Sequence, residues 1–189
     1  MTVPAAILRL LASDQVVDLV SGEPESPDSQ CAALLAFLTS ICDVRALVEI
    51  GSADGVTAGA LVAGQRTRGI VTSIESDRAA HDAALARLAG PISDGRVRLM
   101  HGATAEVLSR LTDGGYGLAL MQQDPAQYDA ILDQVIRLVA PGGIIIARRV
   151  LAPEQADAIA PFLQRIAEIS AHATIVDIDG GLLLATLAN

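Results

Sequence analysis

The sequence contains very few aromatic residues and little positive charge. Only 2% of its 189 residues are aromatic, Trp is absent, and the formal net charge is −9. Aromatic side chains are the platforms on which proteins stack single-stranded bases, and positive charge attracts phosphate backbones. We therefore expect no nucleic-acid partner. The scarcity of aromatic residues also predicts a core built from Ala, Leu, Ile and Val.

Cysteines and long apolar runs are also scarce. The two cysteines, Cys31 and Cys42, have no metal-binding or redox spacing, and we expect buried, reduced thiols. No apolar run reaches the ~18 residues that a membrane-spanning helix needs, and the N-terminus lacks a signal-peptide layout. We therefore expect a cytoplasmic protein with no membrane partner.

Apolar residues, at 51% of the chain, are abundant and form short runs that alternate with helical patterns. Alternation of this kind predicts an α/β fold with a mostly parallel, doubly wound, Rossmann-like sheet. We expect a single domain over 1–189, with N-terminal helices in 1–42 and the Rossmann-like core in 43–189. Strands are predicted at 46–50, 70–75, 97–101, 118–122, 144–148, 174–178 and 182–187. Helices are predicted at 4–20, 29–41, 56–65, 77–88, 103–111, 127–139 and 153–169.

Three turn signals refine this prediction. Asp77 is a helix N-cap residue, and Gly90-Pro91 is expected to end the helix that Asp77 begins. The last two strands flank Asp179-Gly180-Gly181, which predicts an antiparallel hairpin. The hairpin makes the final strand antiparallel to the others and completes a seven-stranded sheet.

The strongest functional signal is the loop after the first predicted strand, followed by a carboxylate after the second. The strand ends at Gly51, and Gly55 opens the next helix. Both glycines permit close backbone approach and positive φ. Glu75 ends the second strand, where α/β folds accept ribose hydroxyls. The pair predicts a nucleoside-containing cofactor, although a glycine loop alone can merely turn the chain.

The charge of this loop discriminates between cofactors. It carries Glu49 and Asp54 with no cation nearby in sequence. The spacing Gly51-x-x-x-Gly55 is neither the Gly-x-Gly-x-x-Gly of dinucleotide-binding loops nor a P-loop. We therefore favour a positively charged, amino-acid-bearing nucleoside. An NAD(P)-dependent oxidoreductase is the weaker alternative.

The segment Glu49-Ile-Gly-Ser-Ala-Asp-Gly-Val-Thr57 resembles the first motif of class I S-adenosylmethionine-dependent methyltransferases. Four further segments resemble the catechol/caffeoyl-CoA O-methyltransferase family within that class, and the match covers roughly residues 25–189. They are Gly102-Ala-Thr-Ala-Glu-Val-Leu108, Tyr116-Gly-Leu-Ala-Leu-Met-Gln-Gln-Asp-Pro-Ala-Gln-Tyr128 and Leu138-Val-Ala-Pro-Gly-Gly-Ile-Ile-Ile-Ala147, followed by the closing Asp179-Gly-Gly-Leu-Leu-Leu184.

The resemblance implies roles for individual residues. The methionine part of the cofactor would lie at Gly51, Ser52 and Thr57, with Glu49 near its ammonium group, and Glu75 would bind both ribose hydroxyls. The full set of cofactor-binding residues that we predict is Glu49, Gly51, Ser52, Gly55, Thr57, Glu75, Gly102, Ala103 and Gln122.

The chain departs from the family pattern at several functional positions. Ala103 replaces the aspartate that contacts the adenine amine. The family's Asp-x-Asp-Lys, which supplies a metal ligand and a base, is Gln122-Gln-Asp-Pro125 here. The Asp-Asn metal ligands that end the fifth strand are Arg148 and Arg149. Mg²⁺ prefers carboxylate ligands, and guanidinium groups repel it unless they point to solvent. We therefore predict no metal.

The catalytic residues and the acceptor remain open at this point. His101 or Asp124 is a candidate base, and a lone His is more often a packing residue. Arg148 and Arg149 would suit a carboxylate or phosphate of an acceptor. We predict a metal-independent O-methyltransferase of small molecules, and a homodimer. The alternative is a catalytically degenerate relative that binds S-adenosylmethionine or S-adenosylhomocysteine, or acts as a structural or regulatory partner.

Overall fold

The computed structural model describes residues 27–188, with side chains from residue 30 onward. The helix predicted at 4–20 lies outside the described residues. Helices α1 to α7 span Pro27–Cys42, Val56–Gly64, Arg78–Arg87, Ala89–Ser93, Thr104–Ser109, Tyr128–Leu138 and Ala156–Ile169. Strands β1 to β7 span Ala46–Ile50, Ile70–Glu75, Val97–His101, Tyr116–Met121, Val139–Ala147, Ser170–Val176 and Leu182–Leu187. Short 3₁₀ turns at Pro125–Gln127 and Pro153–Gln155 precede α6 and α7.

The strands form a seven-stranded sheet in the order β3-β2-β1-β4-β5-β7-β6 within the described residues. The pairs β1–β2, β1–β4, β2–β3 and β4–β5 are parallel. Strand β7 is antiparallel to both β5 and β6. This arrangement confirms the predicted fold class, including the antiparallel C-terminal hairpin.

Helices cover the central strands on both faces, so these strands are apolar on both sides. Leu47 of β1 packs with α1, α2 and α3, whereas Val48 and Ile50 pack with α5, α6 and α7. Strand β4 alternates in the same way, with Leu118 directed to the first face and Ala119 to the second. This two-sided burial explains why these strands appear in the sequence as unbroken apolar runs.

Two composition-based expectations were wrong in part. Tyr128 and Phe162 are among the largest fully buried side chains, and their ring centroids lie 5.3 Å apart. Aromatic rings therefore anchor the core between α6 and α7, which is otherwise aliphatic. Cys31 is buried as expected, but Cys42, the last residue of α1, is exposed.

Several boundaries also differ from the prediction; among the strands, the starts of β5 and β6, at Val139 and Ser170, differ most. Gly90-Pro91 does not end the helical segment, because α4 begins at Ala89. Pro91 lies in the first turn of α4, where a missing N–H costs no helical hydrogen bond. Strand β5 begins at Val139, earlier than predicted, because Val139 pairs with Tyr116 ahead of an irregularity in the β4–β5 register.

No helix in residues 27–188 is long and apolar enough to cross a membrane.

Candidate functional site

A cavity of about 290 Å³ opens at the carboxyl ends of β1, β2 and β4. Strand β2 lies on one side of β1 and β4 on the other, so successive crossovers diverge here. In open α/β sheets this divergence leaves a crevice that binds ligands. Gly51, Glu75, Thr104, Gln122, Gln123 and Asp124 are among the residues that line the cavity.

The loop after β1 is held tightly against β2 and β4. The backbone N–H groups of Gly51 and Ser52 both donate to the carbonyl oxygen of Ile74, at 2.9 and 3.1 Å. Gly51 has φ +87°, and a Cβ there would lie 2.7 Å from the backbone nitrogen of Gln123. The hydroxyl oxygen of Ser52 is buried without a hydrogen-bond partner among the described residues. An unsatisfied buried hydroxyl is costly, so this atom is suited to a ligand.

The Glu75 carboxylate is fixed by two backbone donors. Its Oε2 accepts from the N–H of Ala53 at 2.8 Å, and its Oε1 accepts from the N–H of Asp77 at 2.9 Å. Glu75 is buried at the cavity wall. Because a carboxylate oxygen has two lone pairs, each oxygen keeps one for a ligand hydroxyl.

Glu49 lies beneath the loop and is fully buried. Its Oε1 accepts from the Thr57 hydroxyl and, at 3.0 Å, from Nε2 of Gln122, and its Oε2 accepts from the Ser73 hydroxyl. Burial disfavours the charged form and raises the pKa of Glu49 to about 7, although the hydroxyl donors and Arg148 oppose that rise. The group is therefore poised to gain or lose a proton near neutral pH.

Gln122 connects Glu49 to an ion pair at the ends of β5 and the hairpin. Its Oε1 accepts from Nη1 of Arg148 at 2.8 Å, and its Nε2 also donates to the Thr57 hydroxyl oxygen at 2.6 Å. The Arg148 Nε donates to the carboxylate of Asp179. Arg148 is therefore directed inward, which excludes the alternative that it points to solvent.

The donor set at this strand edge does not fit a divalent metal ion. The side-chain oxygen of Gln122 already accepts from Arg148, and its carbonyl oxygen and that of Gln123 accept from Nη2 of Arg149. The nearby carboxylate of Asp124 accepts from Ala126 N–H and Gln155 Nε2. Two guanidinium groups thus occupy the Gln122 and Gln123 oxygen atoms that a hard cation would require at this strand end.

A cation lies beside the loop after β1, contrary to the expectation from the sequence. Arg87 of α3 donates to the Asp54 carboxylate at 2.9 Å and to its carbonyl oxygen at 3.0 Å. The loop therefore has a cation beside it, contributed by a distant helix. Since burial also favours the neutral form of Glu49, the loop is less negative than its sequence indicates, and the electrostatic argument against a phosphate weakens.

A model of the methyltransferase-domain family matches residues 48–147. The chain belongs to this family. The match runs from β1 to the end of β5 and so includes the glycine loop, Glu75 and Gln122. Membership in this family argues against the oxidoreductase alternative.

A curated relative agrees with this family assignment. A protein of Mycobacterium sp. (strain JLS), provisionally named an O-methyltransferase, is 34% identical over 142 residues, which are 73% of this chain and 62% of that protein. The chain spans 62% and 60% of the length of the first two curated relatives it matches.

Two solved structures share the fold. The O-methyltransferase from Bacillus cereus, in complex with S-adenosylhomocysteine, has a TM-score of 0.75 at 20% identity, covering 99% of this chain and 92% of that chain. The O-methyltransferase TomG from Streptomyces achromogenes, in complex with S-adenosylmethionine, has a TM-score of 0.76 at 19% identity, covering 100% and 92%. At these identities the similarity shows the fold alone.

The methyltransferase domain brings most of the predicted site residues together. Gly51, Glu75 and Gln122 line the cavity. Glu49, Ser52 and Thr57 lie directly behind it and are buried, and Gly55 is the N-cap of α2 with φ +85°. Gly102 and Ala103 follow β3, and the neighbouring Thr104 is the residue of that segment that reaches the cavity. Ala103 is the N-cap of α5 but makes no side-chain capping bond.

The two candidate bases occupy different positions. Asp124 lines the cavity, whereas His101 is exposed and its ring packs against His81, with centroids 5.2 Å apart. The packing interpretation of His101 therefore agrees with its position.

Several residues of this site were not identified from the sequence, among them Gln123, Thr104 and Asp179. Gln123 and Thr104 line the cavity, and the Thr104 hydroxyl donates to Gln123 Oε1 at 3.1 Å. Asp179 was assigned only to a turn, yet its carboxylate binds Arg148. For Asp179 the only available signal was a lone acidic residue beside glycines, which is also what a hairpin turn requires.

Proposed function

We propose that this protein is an S-adenosylmethionine-dependent O-methyltransferase that acts on a small molecule without a divalent metal ion. Its membership in the methyltransferase-domain family and the cavity at the divergence of the sheet support this proposal. The observation that carries it is the Glu75 carboxylate, held by two backbone N–H groups at the cavity wall.

Glu75 would bind the two ribose hydroxyls of the cofactor. Each of its oxygens is already oriented by one N–H group and keeps a lone pair. Hydrogen bonds to a charged acceptor contribute about 1.5–3 kcal/mol each. Glu75 is therefore the residue on which cofactor affinity should depend most.

The methionine part would lie against the loop after β1. Gly51, with φ +87° and no side chain, lets the loop backbone lie close to Gln123, and the unsatisfied hydroxyl of Ser52 offers a hydrogen bond. Thr57 and Glu49 support the loop from below, and Gln122 lies between them and the cavity. Gly55, Gly102 and Ala103 shape the surrounding backbone. We assign no catalytic residue among them.

The bound cofactor supplies an electrophilic methyl group, and the protein would hold the acceptor oxygen in line with it. Arg148 and Arg149 occupy the strand end where the resemblance implies metal ligands, which supports the proposal of metal independence. Asp124 lines the cavity and is the remaining candidate to accept the acceptor's proton.

Calorimetric titration with S-adenosylhomocysteine tests cofactor binding. We expect Glu75→Gln to weaken binding by about 10- to 100-fold, because the charge of the acceptor is lost. Glu154→Gln, at an exposed acid before α7, is the matched control and should bind like the unmodified protein. Equal affinities for all three proteins would contradict the assignment of Glu75.

Methyl transfer from labelled S-adenosylmethionine to phenolic and catechol acceptors tests the reaction. We expect activity that is unchanged by EDTA. Activity that is lost with EDTA and restored by Mg²⁺ would refute metal independence.

A catalytically degenerate binder is the second candidate, and Pro125 favours it. This proline stands where the resemblance implies a catalytic lysine. Tight S-adenosylhomocysteine binding without methyl transfer to any acceptor class would support this candidate over the first.

A further inference from the structure

A continuous chain of polar side chains crosses the carboxyl edge of the sheet. It runs from Asp179 in the hairpin to Arg148 after β5, then to Gln122 after β4, and ends at Glu49 of β1. Ser73 of β2 and Thr57 of α2 complete it by donating to Glu49. Side chains from four strands or their ends, a helix and a turn are thus joined by hydrogen bonds in a largely buried layer.

The direction of these hydrogen bonds fixes the orientation of Gln122. Arg148 can only donate, so the Gln122 oxygen must face it, and the Gln122 amide nitrogen must face Glu49 and Thr57. With the amide reversed, two donors would face each other at 2.8 Å. The Arg148 guanidinium therefore determines that the amide nitrogen of Gln122, and not its oxygen, is directed at Glu49 and Thr57 beneath the loop after β1.

Asp179 in turn holds Arg148. Side-chain exposure is 10% for both residues, so the pair is shielded from water. The turn that carries Asp179 is tied to the chain after β5, because the N–H groups of Val150 and Leu151 donate to the carbonyl oxygens of Gly181 and Gly180. The carboxylate is thus placed by backbone contacts that do not involve Arg148.

We propose that Asp179 is a positioning residue for the cofactor site, acting through Arg148 and Gln122. Asp179 and Arg148 form an internal ion pair at the strand edge where the resemblance implies a metal site. The fixed guanidinium orders Gln122, and Gln122 orders Thr57 and Glu49 beneath the glycine loop. This role rests on the proposed function, since the readout is cofactor affinity.

The test is a double-mutant cycle between Asp179 and Gln122, read by calorimetric titration with S-adenosylhomocysteine. Asp179 has φ +51°, a conformation that Asn also tolerates, so Asp179→Asn removes the charge and keeps the turn. We expect this variant to bind about tenfold more weakly. In the Gln122→Leu background, the same substitution should change affinity less than about twofold. Asp177→Asn, at an exposed position of the same turn, is the control and should bind unchanged.

A merely structural role would lower the melting temperature and weaken binding equally in both backgrounds. Equal weakening, or none, overturns the proposal. A second readout does not depend on the ligand. NMR can record the side-chain amide resonances of Gln122, which are assigned by their loss in Gln122→Leu. We expect Asp179→Asn to shift them and to speed their hydrogen exchange by about tenfold or more, while Asp177→Asn leaves them unchanged.

The two readouts separate the possible failures. If the unmodified protein does not bind S-adenosylhomocysteine but the Gln122 resonances respond to Asp179→Asn, the proposed function fails and the positioning link stands. If the protein binds and the resonances do not respond, the link fails and the function stands.

Discussion

The buried carboxyl group of Glu49 should make stability depend on pH. In the folded protein burial raises the pKa of Glu49 to about 7, whereas in the unfolded chain a Glu side chain has a pKa of about 4.3. Between these values the folded state binds more protons. The free energy of unfolding from this group therefore falls as pH rises through that window and levels off above it.

Urea denaturation of the protein and of Glu49→Gln measures this effect. The unfolding free energy of the unmodified protein minus that of Glu49→Gln should decrease by about 2–4 kcal/mol from about pH 5 to about pH 8. The variant is thus relatively more stable at the higher pH. A difference that stays constant over this range would show that Glu49 titrates alike in both states.

A side chain at Gly51 should destabilise the protein more than one at another glycine with positive φ. It combines a positive φ with a Cβ position 2.7 Å from backbone nitrogen of Gln123, whereas Gly95 has φ +68° and open space around its Cβ position. Gly95→Ala should therefore cost only the backbone term, about 1 kcal/mol. Gly51→Ala should cost about 2 kcal/mol more, because backbone atoms must shift. Equal unfolding free energies for the two variants would contradict the packing of the loop against β4.

The start of α3 depends on a side-chain cap. The Asp77 carboxylate accepts from the N–H of Ala80 at 2.8 Å, as its position in the sequence predicts. Asp77→Ala should lower the free energy of unfolding by about 1 kcal/mol, while Asp77→Ser should retain most of it. Denaturation curves in which Ser and Ala are equally destabilising would indicate that the cap contributes nothing.

Helix α6 is linked to two strand ends through one hydroxyl. The buried Tyr128 hydroxyl lies 2.8 Å from the carbonyl oxygen of Met121 and 3.1 Å from that of Arg148. Tyr128→Phe keeps the ring packed on Phe162 but removes the donor. We expect it to lower the free energy of unfolding by about 1–2 kcal/mol, measured by urea denaturation. A cost near zero would show that both carbonyl groups find other donors.

Ligand binding should stabilise the molecule as a whole. At 100 times its Kd, S-adenosylhomocysteine should add about 2.7 kcal/mol to the free energy of unfolding, which corresponds to a rise in Tm of about 5–11 °C for a chain of this size. NAD at the same concentration should leave Tm unchanged. A rise with NAD and none with S-adenosylhomocysteine would reverse the proposed cofactor.

The homodimer remains a prediction, which the surface of α1 makes testable. Phe37 and Ile41 are separated by one helical turn and are each 58% exposed. Light scattering should give a dimer mass for the unmodified protein, and Phe37→Glu with Ile41→Glu should give a monomer mass, because charges oppose burial of this surface. A monomer mass for the unmodified protein would refute the prediction.

The sequence by itself determined the fold class, the order of the strands along the chain and the hairpin. These features depend on local signals: apolar runs such as Leu47–Ile50, a cap at Asp77, and glycines that permit positive φ. It also identified Glu49, Gly51 and Glu75 as one cluster, because the carboxyl ends of neighbouring parallel strands meet at one edge.

Only the tertiary structure decided the charge and hydrogen bonding of the site. Arg87 forms an ion pair with Asp54, from which it is separated by 33 positions in the sequence. Asp179 likewise pairs with Arg148, from which it is separated by 31 positions. The pKa of Glu49 depends on burial by elements from across the chain. Such interactions follow from distances in space, and electrostatic energy and desolvation depend on those distances and not on position along the chain.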